Sequence, residues 1–341
     1  MAIPSSSEDT PLLTNPIASL WEGSIDLVGD VHGELEALQR LLGVLGYSPD
    51  GRHPDGRRLV FLGDLVDRGP DSRAVVEFVR GLVLRGLAQC VLGNHEYNLL
   101  VGDRKAGNAW FYGEDEPVGE GVDWPIECRL LESEDERRAL LEFFSSLPVV
   151  LENSQLRVVH ANWDAQALEL LQNGVHALDS DDPRDRGLQQ QRRQLLPALL
   201  DYTREPEFRS DIAELEVREQ ERQPLKLLTS GAEQVIPQRK AFYAGGRWRF
   251  VQRARWWESY RGKPVVVGHY WRPVKAPHHK KKLPQVGPES WWGDVYCVDY
   301  GIGKRFMERA RGEAGDSTLA ALRWPEEVVV FENGRSVQTV R

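Results

Sequence analysis

The sequence predicts an α/β protein, and three observations carry that expectation. Short apolar runs stop at a glycine followed by a polar residue, helix-patterned segments separate the first of them, and strand-like runs crowd the end of the chain. SIDLVGD (Ser24 to Asp30), RLVFLGD (Arg58 to Asp64) and AQCVLGN (Ala88 to Asn94) are short and rich in Val, Leu and Ile, as buried strands of a covered sheet are. Between them Glu34 to Leu45 and Ser72 to Leu87 space their apolar residues as helices do, so the chain opens β-α-β-α-β. That order favours parallel strands joined by right-handed crossovers. LRVVHA (Leu156 to Ala161) and PVVVGH (Pro264 to His269) are two further strands. DVYCVDYG, STLAALRW and EVVVFENG follow in quick succession and predict strands joined by turns in an antiparallel or mixed sheet.

The middle is less regular. Residues 98–127 hold a Gly-, Trp- and acid-rich loop (GNAWFYGEDEPVGEGVDW), and ESEDERRALLEFFSSL reads as a helix with acids at its start. Residues 164–261 mix charged helical segments with an Arg/Trp run. Because PVVVGH comes only after them, both stretches are expected to be insertions roofing a site within one domain, 21–341, behind a flexible polar leader, 1–20. With 341 residues, 41% of them apolar, the chain has ample material for a core. A net charge of −9 lacks the basic surplus of a nucleic-acid binder. Cys90, Cys128 and Cys297 have no CxxC spacing and fit neither a disulfide scaffold nor a thiolate zinc site, so a reducing compartment is expected. The first residues lack the pattern of a secretory signal, and the best apolar stretch, Val75 to Leu92, is broken by Glu77, Arg80 and Arg85. No membrane span and a cytoplasmic location are therefore expected.

Strand ends at the carboxyl edge of an open α/β sheet are where ligands bind. Here the stops deliver Asp30 with His32, Asp64, Asn94 with His95, His160 and His269. Such a mixed N/O set suits Mn²⁺, Fe²⁺ or Zn²⁺ better than Ca²⁺. It holds enough ligands for two metals if one carboxylate bridges, with His95 left over. Taken singly, each residue has a plain structural explanation, as a core histidine, a turn acid or a helix cap. Independent accidents explain the whole set poorly.

GDVHGE (Gly29 to Glu34), GDLVDRGPDS (Gly63 to Ser72), GNHE (Gly93 to Glu96), VVHA (Val158 to Ala161) and VVGHY (Val266 to Tyr270) resemble, in order, the five signature blocks of the calcineurin-like metallophosphoesterases. The second block resembles the branch containing phosphoprotein phosphatases and bacterial diadenosine tetraphosphatases. The resemblance implies the family's sandwich of two mixed β-sheets flanked by helices around a βαβαβ metal-binding core. It also implies a dinuclear centre, with Asp30 and His32 on the first metal, Asp64 bridging, and Asn94, His160 and His269 on the second. Mn²⁺ is the first choice, with Fe or Zn as alternatives. Two cations ~3.5–4 Å apart can share a water, lower its pKa and aim it in line at phosphorus. His95 is then expected to protonate the leaving oxygen, and Asp67 to hold its tautomer. Arg68 would present a planar fork to phosphate oxygens, and Arg272 would be a second clamp.

The implied reaction is hydrolysis of phosphate monoesters, on phosphoprotein or a phosphorylated small molecule, by hydroxide held between two metals. The alternative is hydrolysis of a dinucleoside polyphosphate. A more remote one, a non-catalytic binding protein on the same fold, predicts a lost ligand, and no candidate ligand is missing. Eukaryotic-type Ser/Thr phosphatases follow the fourth-block His with Gly-Gly, where this chain has Ala161, Asn162 and Trp163 after His160. GHYW (Gly268 to Trp271), VDYG (Val298 to Gly301) and LAALRW look more like the bacterial branch, although that group typically has Asp where Glu96 stands. RWRFVQRARWW (Arg247 to Trp257) interleaves four arginines with aromatics. It would either stack a base and hold phosphates or, the preferred reading, pack Trp248, Phe250, Trp256 and Trp257 beneath solvated arginines. HHKKK (His278 to Lys282) reads as an exposed basic loop.

Overall fold

The computed structural model describes residues 13, 15–105, 107–113, 128–244, 246–274, 287–313 and 315–341. After β1 (Ile17–Ser19) comes the expected alternation of β2 (Ile25–Val28), α1 (Leu35–Leu45), β3 (Arg58–Phe61), α2 (Ser72–Leu84) and β4 (Ala88–Cys90). Helices α3 (Asn94–Leu100), α4 (Ala109–Tyr112) and α5 (Glu134–Ser146) lead to β5 (Val150–Glu152) and β6 (Arg157–Val159). Residues 164–261 form helices α6 (Ala165–Gln172), α7 (Pro183–Leu200), α8 (Ser210–Glu221) and α9 (Pro224–Ser230), then strands β7 (Glu233–Val235), β8 (Phe242–Ala244), β9 (Arg247–Arg249) and β10 (Val251–Arg253). The chain continues through β11 (Val265–Val267), β12 (Val295–Cys297), α10 (Arg305–Ala310), β13 (Ala320–Trp324), β14 (Val328–Phe331) and β15 (Ser336–Gln338). Local chemistry sets the helix starts: the Asp71 carboxylate accepts from the Ala74 N–H ahead of α2, and the Ser133 hydroxyl accepts from the Glu136 N–H ahead of the acidic first turn of α5.

Two sheets dominate. One runs β15-β14-β13-β2-β3-β4, with β2, β3 and β4 parallel and the last three strands of the chain antiparallel; the other runs β1-β5-β6-β11-β12. Leu27, Val60, Leu322 and Val329 of the first pack in one apolar cluster with Leu151, Val158, Val266 and Tyr296 of the second. The sheets therefore lie face to face as a sandwich. The opposite faces carry Leu59 and Phe61, or Val265 and Val267, into a cluster shared with the helices. Every residue of β2 and β11 is buried, as strands covered on both faces must be.

Three expectations are corrected. The segment 1–20 is not all leader, because Ile17–Ser19 pairs parallel with Val150–Glu152 and Leu20 is buried; residues 1–12 lie outside the described residues. The closing strands do not share one sheet: Val295–Cys297 pairs parallel with β11, and α10 intervenes before β13. The segment 98–127 is not simply a loop, since α3 runs into it and Trp110 and Phe111 of α4 are buried; its residues 114–127 are outside the description. Residues 188–251 also hold a small core of their own, with Leu188, Ile212, Leu215 and Phe250. Among the described residues no helix is long and apolar enough to cross a membrane.

Glu332 ties three elements together. Its buried carboxylate, just past β14, accepts from Arg40 of α1 (2.8 Å), from Arg305 of α10 (3.0 Å) and from the Leu319 N–H (3.1 Å). Burial alone would raise its pKa, but the arginines and the N–H outweigh it and hold the pKa at about 2. A depressed carboxyl contributes stability that is complete above its unfolded value and drains as pH falls through its folded value. Urea unfolding should therefore show wild type losing more stability between about pH 5 and about pH 2.5 than Glu332→Gln does. Equal losses would remove Glu332 from the acid limb.

Candidate active site

The parallel arrangement sends the ends of β2, β3 and β4 to one edge of the first sheet, where Asp30, Asp64 and Asn94 follow them. His160 and His269 follow the parallel pair β6 and β11 in the second sheet, and the sandwich brings the two edges together. The approach is close: a Cβ on Gly268 would stand 2.0 Å from Asp30 Oδ1, so only glycine fits. The His269 N–H then donates to the Asp30 carboxylate (3.1 Å). The backbone here is unusual as well. His32, Asp64, Asp67, Arg68 and His269 all have φ between 46° and 68°, whereas away from the site only Arg239 and Glu327 do so among the described non-glycine residues. Left-handed non-glycine residues cost about 1–3 kcal/mol each and persist where the surroundings over-determine them.

Asp64 is the centre. Its Oδ2 lies 3.7 Å from His32 Nε2, 3.8 Å from His95 Nε2 and 3.3 Å from His160 Nε2. The ligand atoms form two groups, His32–Asp64–His95 and Asp64–His160–His269, each within 4.8 Å and sharing Asp64. Asp30 Oδ2 stands 3.9 Å from His32 Nε2. Asn94 Oδ1 is 2.8 Å from His269 Nδ1 and 3.2 Å from His160 Nε2. Backbone carbonyls fix two tautomers, because His32 Nδ1 must donate to Val66 O (2.9 Å) and His160 Nδ1 to Leu62 O (2.6 Å). Each Nε2 is thereby turned toward the carboxylates, as carbonyl-oriented metal ligands are.

The electrostatics of this set call for a cation. Burial, with Asp299 and Asp64 adding to it, pushes the Asp30 carboxyl well above its usual range. At Asp64 burial pulls the same way, but His160 and His95 outweigh it and hold the pKa low. Burial would depress His160, yet Asp64 and Asp30 raise it to about 10, so a proton on Nε2 does the work of a positive ion between acceptors. Burial keeps His32 and His269 neutral, the form that binds metal. The donor set of carboxylates, amide oxygen and imidazoles fits divalent transition metals.

Beside this cluster, His95 Nδ1 donates to Asp67 Oδ2 (2.6 Å). Asp67 also accepts from Asn108 Nδ2 (2.9 Å) and Trp110 Nε1 (2.5 Å), two partners that sequence reasoning missed. The GNAW stretch that carries them gives no local sign of this contact. Glu96, the departure from the bacterial branch's third block, is another residue whose role the sequence does not reveal. It is buried, and its carboxylate accepts from the N–H groups of Asp64 (2.9 Å), Leu65 (2.7 Å), Val66 (3.2 Å) and Gly93 (3.1 Å). Burial and the Asp64 charge raise its pKa to about 7 against those donors and the imidazoles. Asp299 is a second unforeseen carboxyl: one oxygen accepts from the Gly301 N–H (2.7 Å), the other has no partner, and burial raises the pKa to about 6.

The cluster forms the floor of an open cleft of about 810 Å³. Arg68 lines it, 3.2 Å from His32 Nε2 through Nη1, with its guanidinium 5.3 Å from the ring of the exposed Trp271. Arg272 does not serve as the expected phosphate clamp. It is buried away from the cleft, donating to the carbonyls of Cys297 (3.1 Å), Gly287 (2.7 Å) and Ser290 (2.7 Å) and lying 4.7 Å from the Tyr296 ring centre. The Arg/Trp run divides: Trp248 and Phe250 pack toward α7 and α8, Trp256 and Trp257 pack by the sheet, and Arg253 and Arg255 line the cleft. The basic run 278–282 lies outside the described residues.

Glu96→Gln keeps the shape of this anchor but turns an NH₂ toward backbone N–H groups, so at least one of the four bonds is lost. Isothermal titration of the metal-stripped protein should show Mn²⁺ bound about 10–100-fold more weakly by this variant, with an unchanged far-UV spectrum. Wild-type affinity would mean that the loop holds its ligands without Glu96.

Comparison with known proteins places this geometry. The chain is 37% identical over 146 residues to an asymmetrical bis(5'-nucleosyl)-tetraphosphatase PrpE of Geobacillus thermodenitrificans, a match covering 40% of this chain and 56% of that protein. It is 33% identical over 145 residues to the enzyme of the same name from Bacillus subtilis, with the same coverages. The chain thus spans just over half the length of these curated relatives. Among solved structures, the cold-active protein-tyrosine phosphatase of a Shewanella species aligns over 98% of this chain and 85% of its own, at 14% identity and a TM-score of 0.45. The family model for calcineurin-like phosphoesterases matches residues 23–212, more than half of the chain, with Asp30, Asp64, Asn94 and His160 inside the match, and the protein belongs to that family.

Proposed function

We propose that the protein is a divalent-metal-dependent hydrolase of phosphate esters and anhydrides whose substrate is a nucleotide polyphosphate, dinucleoside polyphosphates first. The observation that carries the chemistry is Asp64 Oδ2 within 4 Å of imidazoles from three separate elements, at the floor of a cleft. Asp30 and His32 would hold one ion, Asn94, His160 and His269 the other, and Asp64 would be shared, with Mn²⁺ the first candidate. Bound ions would supply charge neutralisation at the phosphoryl oxygens and an activated water at neutral pH.

The chain's own groups do the rest. Donation from Nδ1 to Asp67 leaves His95 Nε2 to hand a proton to the leaving oxygen. Asn108 and Trp110, by fixing Asp67, fix the plane of that imidazole. Arg68 meets non-bridging oxygens as a planar fork. Support for a nucleotide comes from the cleft, which is larger than one phosphate needs and carries Arg253 and Arg255 besides Arg68, and from the names of the PrpE relatives. A cytoplasmic setting accords with the buried thiols of Cys90 and Cys297.

Metal-stripped protein should be inactive and recover with Mn²⁺, and Asp64→Asn should remain folded while losing nearly all turnover. His95→Ala should slow cleavage of an alkyl phosphate by about 10²–10⁴-fold and of an activated aryl phosphate far less; equal slowing would exclude a general acid. A panel of diadenosine tetraphosphate, a phosphotyrosine peptide and a phosphothreonine peptide decides the substrate. Release of nucleotides from the first is expected, and phosphate release from a peptide with the dinucleotide untouched would return the phosphomonoester reading to first place.

A further inference from the structure

The wall of the cleft formed by the β7–β10 ribbon has no part in the chemistry above. The two strands pair antiparallel with Gln234 directly opposite Gln252, and both residues line the cleft. Directly opposed residues on an antiparallel pair share one face, so the two primary amides stand side by side. Among the described residues neither amide makes a side-chain hydrogen bond, although each offers two donors and an acceptor. The next residue, Arg253, also faces the cleft and is held by Glu233 Oε1 (2.6 Å). Phe242, which begins β8, also lines the cleft.

We propose that this ribbon is a nucleobase-recognition wall. Gln234 and Gln252 hydrogen-bond the edge of a base, Phe242 offers a ring for stacking, and Arg253 meets the phosphate chain running toward Asp64. The inference deepens the nucleotide reading and rests on it. A purine edge places a donor beside an acceptor, which one primary amide matches bidentately. Stacking on an aromatic ring is general to bases. Paired amides would also suit a peptide main chain, but an aromatic ring and an arginine adjoining them favour a flat group that carries phosphate.

The test uses the full chain with Mn²⁺ and the double variant Gln234→Ala/Gln252→Ala, with each single variant as a second set should the double fail to fold. Calorimetry compares adenosine 5'-(α,β-methylene)diphosphate, which has no P–O–P bond, with methylenediphosphonate, which has none either and lacks the nucleoside. Wild type should bind the nucleotide about tenfold more tightly than methylenediphosphonate, and the variant should lose that difference. Equal binding of both by wild type, or a difference that survives in the variant, overturns the proposal. In kinetics, the ratio of kcat/KM for diadenosine tetraphosphate to that for p-nitrophenyl phosphate should fall about tenfold through KM; a parallel loss on both substrates would mark a structural role and overturn it. A selective loss on a phosphothreonine peptide would make the ribbon a peptide surface instead. If wild type cleaves no dinucleotide yet discriminates the two methylene probes in binding, the substrate reading falls while the ribbon stands.

Discussion

A single buried carboxylate, that of Glu96, holds the loop on which the rest of the site depends. Its two oxygens collect four backbone N–H groups, three from Asp64 to Val66 and one from Gly93, so the end of β3 is tied to the start of α3. The loop needs this restraint because it passes through left-handed backbone at Asp64, Asp67 and Arg68. Each such residue costs about 1–3 kcal/mol, and four hydrogen bonds, at about 0.5–1.5 kcal/mol each, are of the size to offset much of it. What the strain accomplishes is direction. Asp64 turns toward both sheets, Asp67 toward His95, and Arg68 toward the cleft.

The second constraint is the packing of the two sheets. Their inner faces share one apolar core, and that core, with the hydrogen bonds from His160 Nδ1 to the Leu62 carbonyl and from the His269 N–H to Asp30, brings carboxylates from one sheet against imidazoles from the other. The polar cluster is not self-sufficient. Asp30, Asp64 and Asp299 lie close enough to shift one another, and the carboxylates of Asp64 and Asp30 raise the His160 pKa against burial. Burying like charges is unfavourable unless something opposite is supplied. The donor set of carboxylates, amide oxygen and imidazoles would become favourable with a divalent cation bound, in keeping with the metal-dependent chemistry of the family.

The long segment between β6 and β11 contributes differently. Its helices and short strands hold a small core around Phe250, and the β7–β10 ribbon on its edge turns arginines and glutamines into the cleft. One run of Arg and Trp does two jobs, with Trp248, Phe250 and Trp257 in the packing and Arg253 and Arg255 on the cleft. The family's motifs thus sit on the sandwich, whereas Gln234, Gln252 and Arg253 reach the cleft from the segment between β6 and β11.

The strand stops were legible because a buried strand that must end in a tight turn leaves a short apolar run, a glycine and a polar residue, and this local pattern survives in one dimension. From it came the β-α-β-α-β opening and Asp30, His32, Asp64, Asn94, His95, His160 and His269, whereas the pairing of Asp67 with His95 came from the family resemblance. Contacts between distant segments left no such trace. Nothing local tells that Asn108 and Trp110 reach Asp67, or that Asp299 lies near Asp30. Arg272, three residues beyond a ligand, reads in sequence like a phosphate clamp. Only the fold shows that the carbonyls of Cys297, Gly287 and Ser290 surround it, so its guanidinium is directed into the protein. Sequence by itself determined which residue types end the strands, since backbone turns and buried runs are local. The tertiary structure decided which side chains meet, because side-chain direction depends on what the rest of the chain packs against each face.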